Sequence, residues 1–149
     1  MRLLLTLAFL LPSLLHATHP FLCCDYGGNK VCRVSAEGAI EWKYECPNPQ
    51  DIWKFANGNY LIAFKTGAVE VTETKQVVWE YKAPEKVEVH GCQPLANGNV
   101  MVIECGTDRI IEVDRAGKIA KEIKLVTSET KLHNRFRGTR KQQNGHYLV

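Results

Sequence analysis

The tetrad Ala-Asn-Gly-Asn occurs at 56–59 and again at 96–99, each time followed by an apolar run, Tyr60-Leu61-Ile62 and Val100-Met101-Val102. Gly98 follows Gly58 by 40 residues, and a third copy, Asn144-Gly145-His146-Tyr147-Leu148-Val149, places its glycine 47 residues further on. Asn-Gly between apolar runs is the strongest short hairpin signal, and the type I′ turn it favours needs positive φ at both central residues. Other segments recur in step. Ile40-Glu41-Trp42-Lys43-Tyr44 matches Val77-Val78-Trp79-Glu80-Tyr81, 37 residues later, and Ile119-Ala120-Lys121-Glu122-Ile123 comes 42 after that. Between them lie Val31-Cys32-Arg33-Val34, Val69-Glu70-Val71 and Ile110-Ile111-Glu112-Val113, all rich in β-branched residues as strands are.

A four-strand unit repeating at about 40 residues is the signature of propeller blades. The strand-like segments run from Phe21–Cys24 to His146–Val149, and no helical period appears among them. The expected fold is all-β, a partial β-propeller of about three four-stranded antiparallel blades spanning 18–149. Closed propellers carry typically four to eight blades. The chain therefore reads as the N-terminal part of a longer protein, its remaining blades supplied by further C-terminal sequence or by self-association.

Ahead of the repeats, Arg2 precedes an apolar stretch, Leu3 to Leu15, and Leu15-His16-Ala17 offers a cut after a small residue. This is the pattern of a secretory signal peptide over 1–17, too short an apolar run for a spanning helix. The expected location is secreted or periplasmic, without a transmembrane segment. The formal charge of +3 is spread along the chain with no basic run, which argues against a nucleic-acid partner. All six cysteines, Cys23, Cys24, Cys32, Cys46, Cys92 and Cys105, fall in the exported part, where disulfides persist. Cys23, Cys32 and Cys105 also occupy strand positions, where a free thiol packs as a small hydrophobe. Pairing therefore stays open. His90-Gly91-Cys92 sets two potential metal ligands together, but no CxxC or HxxxH accompanies them, and no metal site is assigned.

Val113-Asp114-Arg115-Ala116-Gly117-Lys118-Ile119 resembles the Asp-x-x-Gly-Lys turn of PQQ-like, quinoprotein-type propeller repeats. Gly38 followed by Trp42 resembles the tryptophan-docking turn of the same family. Trp79-Glu80-Tyr81, then a His, then Leu-x-Asn-Gly-Asn is also similar to uncharacterised exported bacterial propellers and to arylsulfotransferase-like ones. The resemblance covers nearly everything after residue 20. It implies a propeller, with PQQ as a conceivable cofactor by resemblance alone, and either a quinoprotein-like dehydrogenase or a sulfotransfer enzyme using His90 as acceptor. The chain departs from the pattern where Lys121 replaces the third tryptophan and Thr74-Lys75 replaces the turn glycine before Trp79.

Trp42 and Trp79 are expected on outer strands, docking each blade on the next. Superposing the Asn-Gly turns aligns Gln50-Asp51, His90-Gly91 and Arg137-Gly138 at the start of the innermost strands. Asp51, His90 and Arg137, joined by His133 and Arg135 from the preceding loop, are the candidate residues of a channel-mouth site. Such a set suits anion binding or acid–base work. The plainer alternative is that they hydrogen-bond neighbouring blades. No catalytic constellation is evident. The reading is an exported module that binds a small molecule or a protein.

Overall fold

The computed structural model describes residues 19–149, so the expected leader at 1–17 lies outside the described residues. Strands β1 (Phe21–Asp25), β2 (Lys30–Val34) and β3 (Ile40–Glu45) form a three-stranded sheet. A four-stranded sheet follows, β4 (Pro49–Lys54), β5 (Tyr60–Phe64), β6 (Gly67–Val71) and β7 (Val77–Lys82). Strands β8 (Val89–Pro94), β9 (Val100–Glu104), β10 (Arg109–Val113) and β11 (Ile119–Lys124) make the next. A last pair, β12 (Arg140–Lys141) and β13 (Tyr147–Leu148), begins a further sheet. All neighbours pair antiparallel in simple meanders, and the fold is an all-β partial propeller.

β12 is only two residues long. A 3-10 turn at Leu132–Asn134 and a positive φ of 48° at Phe136 take the chain out of extended geometry before it.

The Asn-Gly turns differ from expectation too. Phe55 and Asn59 close a three-residue loop, in which Gly58 N–H bonds the Phe55 carbonyl and Gly58 alone has positive φ, at 90°. The copies at Gly98 and Gly145 repeat this. It is a type I turn completed by a left-handed glycine, not a two-residue type I′ turn. Asn57, Asn97 and Asn144 are there for another reason: each side-chain oxygen accepts the N–H two residues on, at 3.0, 3.1 and 3.0 Å.

The core is divided among the blade junctions. Along β5, Tyr60 and Ile62 pack with Trp42, Val31 and Val71, whereas Leu61 and Ala63 pack with Trp79, Val100 and Ile111. Alternate side chains thus serve opposite junctions. In β9, Val100 and Val102 join the second cluster, while Met101 and Ile103 meet Ile110, Phe136 and Tyr147 in a third. Strands buried on both faces need uninterrupted apolar runs, which is why 60–63 and 100–103 carry no charged residue, the one hydroxyl, that of Tyr60, being bonded by Arg33. Burying each such side chain contributes roughly 1.5–3 kcal/mol.

The outer strands bury little apart from their tryptophans and Tyr81. Trp42 Nε1 donates to the Glu73 carbonyl at 3.0 Å, and Trp79 Nε1 to the Asp114 carbonyl at 3.1 Å, each in the turn of the following blade. Trp42 also stacks on Tyr60 with ring centroids 3.9 Å apart. At the third junction Lys121 stands in the tryptophan's place, its ammonium 5.3 Å from the centre of the Tyr147 ring.

Candidate functional site

One end of the sheets is built by a repeated clamp, in which the loops between β1 and β2, β5 and β6, and β9 and β10 each grip the segment leading into the next sheet. Asn29 Oδ1 accepts the Asn48 N–H. The Lys65 carbonyl accepts the Val89 N–H, while Lys65 Nζ meets Glu88 Oε1 at 3.1 Å. Asp108 receives both a guanidinium contact from Arg135, at 2.8 Å, and the Leu125 N–H on its carbonyl. The clamp fixes the segments that carry the sequence-derived candidates.

His90 lies at a β-bulge. β8 pairs Val89 with Glu104 and Gly91 with Ile103, so His90 is the extra residue, and its ring is fully buried. Its Nε2 is 3.1 Å from Glu88 Oε2, and its Nδ1 is 3.1 Å from the Arg135 carbonyl and 3.0 Å from Cys105 Sγ. His133, on the 3-10 turn, brings Nδ1 to 3.1 Å from the same Glu88 Oε2 and stacks edge-on to His90 at 5.4 Å. Arg137 is exposed and donates from Nε to the His133 carbonyl at 3.1 Å. His90, His133, Arg135 and Arg137 therefore meet in one patch.

Asp51 has different company. β4 carries the same bulge, but its extra residue is Gln50, between Pro49 paired with Phe64 and Asp51 paired with Ala63. Asp51 thus corresponds to Gly91, as the superposed turns align them, and lies one residue beyond His90's position, so Asp51 and His90 are not equivalent. Its carboxylate receives Arg140 Nη1 at 3.0 Å and the Cys92 N–H at 3.3 Å. Arg140 also lies 4.9 Å from the Trp53 ring centre, and Trp53 Nε1 donates to the Cys92 carbonyl at 2.7 Å. Trp53, Asp51 and Arg140 thereby tie β4, β8 and β12 together.

Glu88 is the residue sequence reasoning passed over. A signal was present: Glu88-Val89-His90 puts the two functional groups at alternate positions of an extended segment, on one face. Burial alone would raise the Glu88 carboxyl, but contacts from His133, His90 and Lys65 outweigh it and bring the value down to about 2. Cys105 goes the other way, pushed up to about 12 by burial and by the charges of Glu88 and Asp108. It is a thiol here, donating to the Arg135 carbonyl at 3.0 Å. Glu88, His90 and His133 each offer one ligand atom within 4.8 Å of the others, the grouping of metal-binding type found among the described residues. All six cysteines are free, and Cys23 faces Cys32 across β1 and β2.

A groove of about 350 Å³ lies elsewhere, at the far ends of β8 and β12, lined by Gln93, Leu95, Asn97, Lys141 and Gln143. Its one charged group, Lys141, is tied to Glu112 at 2.6 Å. The chemistry is at the opposite ends of those strands. No helix among the described residues is long and apolar enough to cross a membrane.

No family model matches the chain, and no curated protein matches it. Solved structures do. A protein of unknown function from Bacteroides caccae superposes with a TM-score of 0.76 at 26% identity, over 86% of this chain and 48% of that one. A catalytically inactive histidine-to-alanine variant of virginiamycin B lyase from Staphylococcus aureus, with quinupristin, gives 0.65 at 18% identity, over 89% and 45%. A streptogramin B lyase gives 0.59 at 20% identity, over 73% and 38%. The chain spans less than half the length of each of these proteins. What the likeness establishes is the fold, a propeller-type arrangement of antiparallel sheets.

Proposed function

We propose that this chain is an exported propeller module that binds a small anionic molecule, such as a carboxylate, phosphate or sulfate, on the face carrying Lys65, His133 and Arg137. The observation that supports it is Arg137. The guanidinium is exposed and held through Nε alone, so both terminal nitrogens face no protein partner among the described residues. A guanidinium so presented matches the two oxygens of an anion. His133 is 52% exposed beside it, and Lys65 is 46% exposed across Glu88.

Binding without turnover is the better-supported form of this reading. His90 has both ring nitrogens engaged and no exposure, which weighs against its use as the acceptor in sulfotransfer. A quinone cofactor rests on repeat resemblance only. One observation does favour an acid–base alternative: Glu88 orients the half-exposed His133 ring through Nδ1, and Nε2 has no partner among the described residues. Turnover of a bound anion, lost in His133→Ala, would favour that alternative.

Calorimetric titration of the mature chain with inorganic phosphate, inorganic sulfate and citrate tests the proposal. The expected result is saturable binding of at least one, weakened about tenfold or more in Arg137→Ala, consistent with loss of a charge-assisted contact. Binding unchanged in both Arg137→Ala and His133→Ala would put the site elsewhere, and no binding of any of the three would overturn the ligand class. Export is tested separately: protein recovered outside the cytoplasm should begin at Thr18.

A further inference from the structure

We propose that Glu88, His90 and His133 form a binding site for a divalent transition metal of the zinc class, with coordination positions left open to solvent. The inference rests on reading this face as the binding site, and it names what would anchor a ligand there.

The three ligand atoms lie within 4.8 Å of one another, and two of their three separations match those a metal would need. Zinc holds imidazole nitrogen and carboxylate oxygen at about 2.0–2.1 Å, so neighbouring ligand atoms of a tetrahedral site lie about 3.3 Å apart. Glu88 Oε2 is 3.1 Å from His90 Nε2 and 3.1 Å from His133 Nδ1. The ion would enter by moving the exposed His133 ring, which the turn leaves free to adjust, against the fixed Glu88 and His90.

The surroundings orient these atoms. A backbone carbonyl can only accept, and with His90 Nδ1 donating to that of Arg135, Nε2 turns a lone pair toward Glu88 Oε2. Two lone pairs at that distance require a cation between them, either a proton or a metal. An imidazole fixed through its other nitrogen to a carbonyl is the usual support of a metal-bound histidine. Lys65 occupies Glu88 Oε1 and leaves Oε2 for the site. Cys105 lies on the Nδ1 side of His90, where its thiol serves the Arg135 carbonyl and not the metal.

The donor set selects the ion. Two imidazoles and one carboxylate suit zinc, cobalt, nickel or copper, whereas magnesium and calcium prefer oxygen throughout. Three protein ligands also leave a fourth position unfilled, as in zinc sites that bind water or substrate. His90 and Glu88 are held on or beside β8, and His133 stands on an exposed turn, so the open side faces solvent next to Arg137. An anion bound to the metal could take up Arg137 as well.

The test uses the mature chain stripped with EDTA and titrated with cobalt(II), followed by its visible d–d bands, and with zinc by calorimetry. One metal per chain is expected. His133→Ala, an exposed position, should weaken binding by more than the 10–100-fold that loss of a merely orienting partner produces. Glu88→Gln is the second variant, should His133→Ala unfold. Absence of binding to the wild type, equal binding by both variants, or a sulfur-to-cobalt charge-transfer band marking thiolate ligands would each overturn the site. Anion binding that survives EDTA in a chain taking up no cobalt would leave the binding face standing and remove the metal. Cobalt bound at these residues with no anion bound would do the reverse.

Discussion

Lys75 shows what single residues contribute and what they cost. It has a φ of 68° in the turn between β6 and β7, where the equivalent turns hold Gly38 at 85° and Gly117 at 82°. A side chain in the left-handed region costs roughly 1–2 kcal/mol, which glycine avoids while losing more entropy on folding. Lys75→Gly is expected to raise stability by about 0.5–1 kcal/mol; a lower urea midpoint would show that the lysine makes a compensating contact. Glu104 is the opposite case. Its carboxylate is fully buried, yet it receives Arg109 at 2.5 Å, Thr107 at 2.6 Å and the Tyr81 hydroxyl. Burial by itself would raise its pKa, and the contacts from Arg109, Thr107 and Tyr81 lower it below the ordinary glutamate value. The stabilisation is therefore complete above the unfolded-state value and is lost as pH falls through the lower folded one. Glu104→Gln should cost about 3 kcal/mol at neutral pH, because Arg109 loses its buried partner. It should also flatten the dependence of stability on pH on the acid side. A variant as acid-sensitive as the wild type would locate that dependence elsewhere.

At the scale of elements, the three junctions solve one docking problem with different chemistry. The first two use an indole that buries its surface and donates to a carbonyl of the next blade. The third uses Lys121 over Tyr147, while Glu112 reaches both Lys141 and the Tyr147 hydroxyl. Trp79→Ala should cost about 3–5 kcal/mol, as large core truncations do, whereas Lys121→Ala should cost about 0.5–1 kcal/mol, the worth of an exposed cation–π contact. Equal losses in denaturant unfolding would contradict the assignment of Trp79 as a docking residue. This layer was legible in the sequence, because both tryptophans share one place in a repeat and sit among β-branched residues. The turn type was not, since Asn-Gly fits a two-residue and a three-residue loop equally, and the pairing of Phe55 with Asn59 decides between them. The clustering at His90 was only half legible. Turn superposition located His90, but Glu88 acquires its meaning from His133, 45 residues later on a turn with no counterpart in the repeat.

For the whole molecule, the blades bring the starts of the inner strands to one end and leave the groove near Asn97 and Gln143 at the other. β4, β8 and β12 come from three successive sheets, and the contacts of Asp51 with Cys92 and Arg140 join them. The repeat thereby converts separate loops into one face, although register sets which side chains share it. A one-residue offset sends Asp51 toward Arg140 while His90 meets Glu88. The central claim is that this face, and not the groove, is where a ligand binds. The direct measurement is a nitrogen-15 amide NMR titration of the chain with whichever of phosphate, sulfate or citrate binds by calorimetry. The account predicts shifts concentrated at Lys65, Glu88, His90, His133 and Arg137. Shifts concentrated at Gln93, Asn97, Gln143 and Gly145, with the histidine patch unmoved, would contradict it.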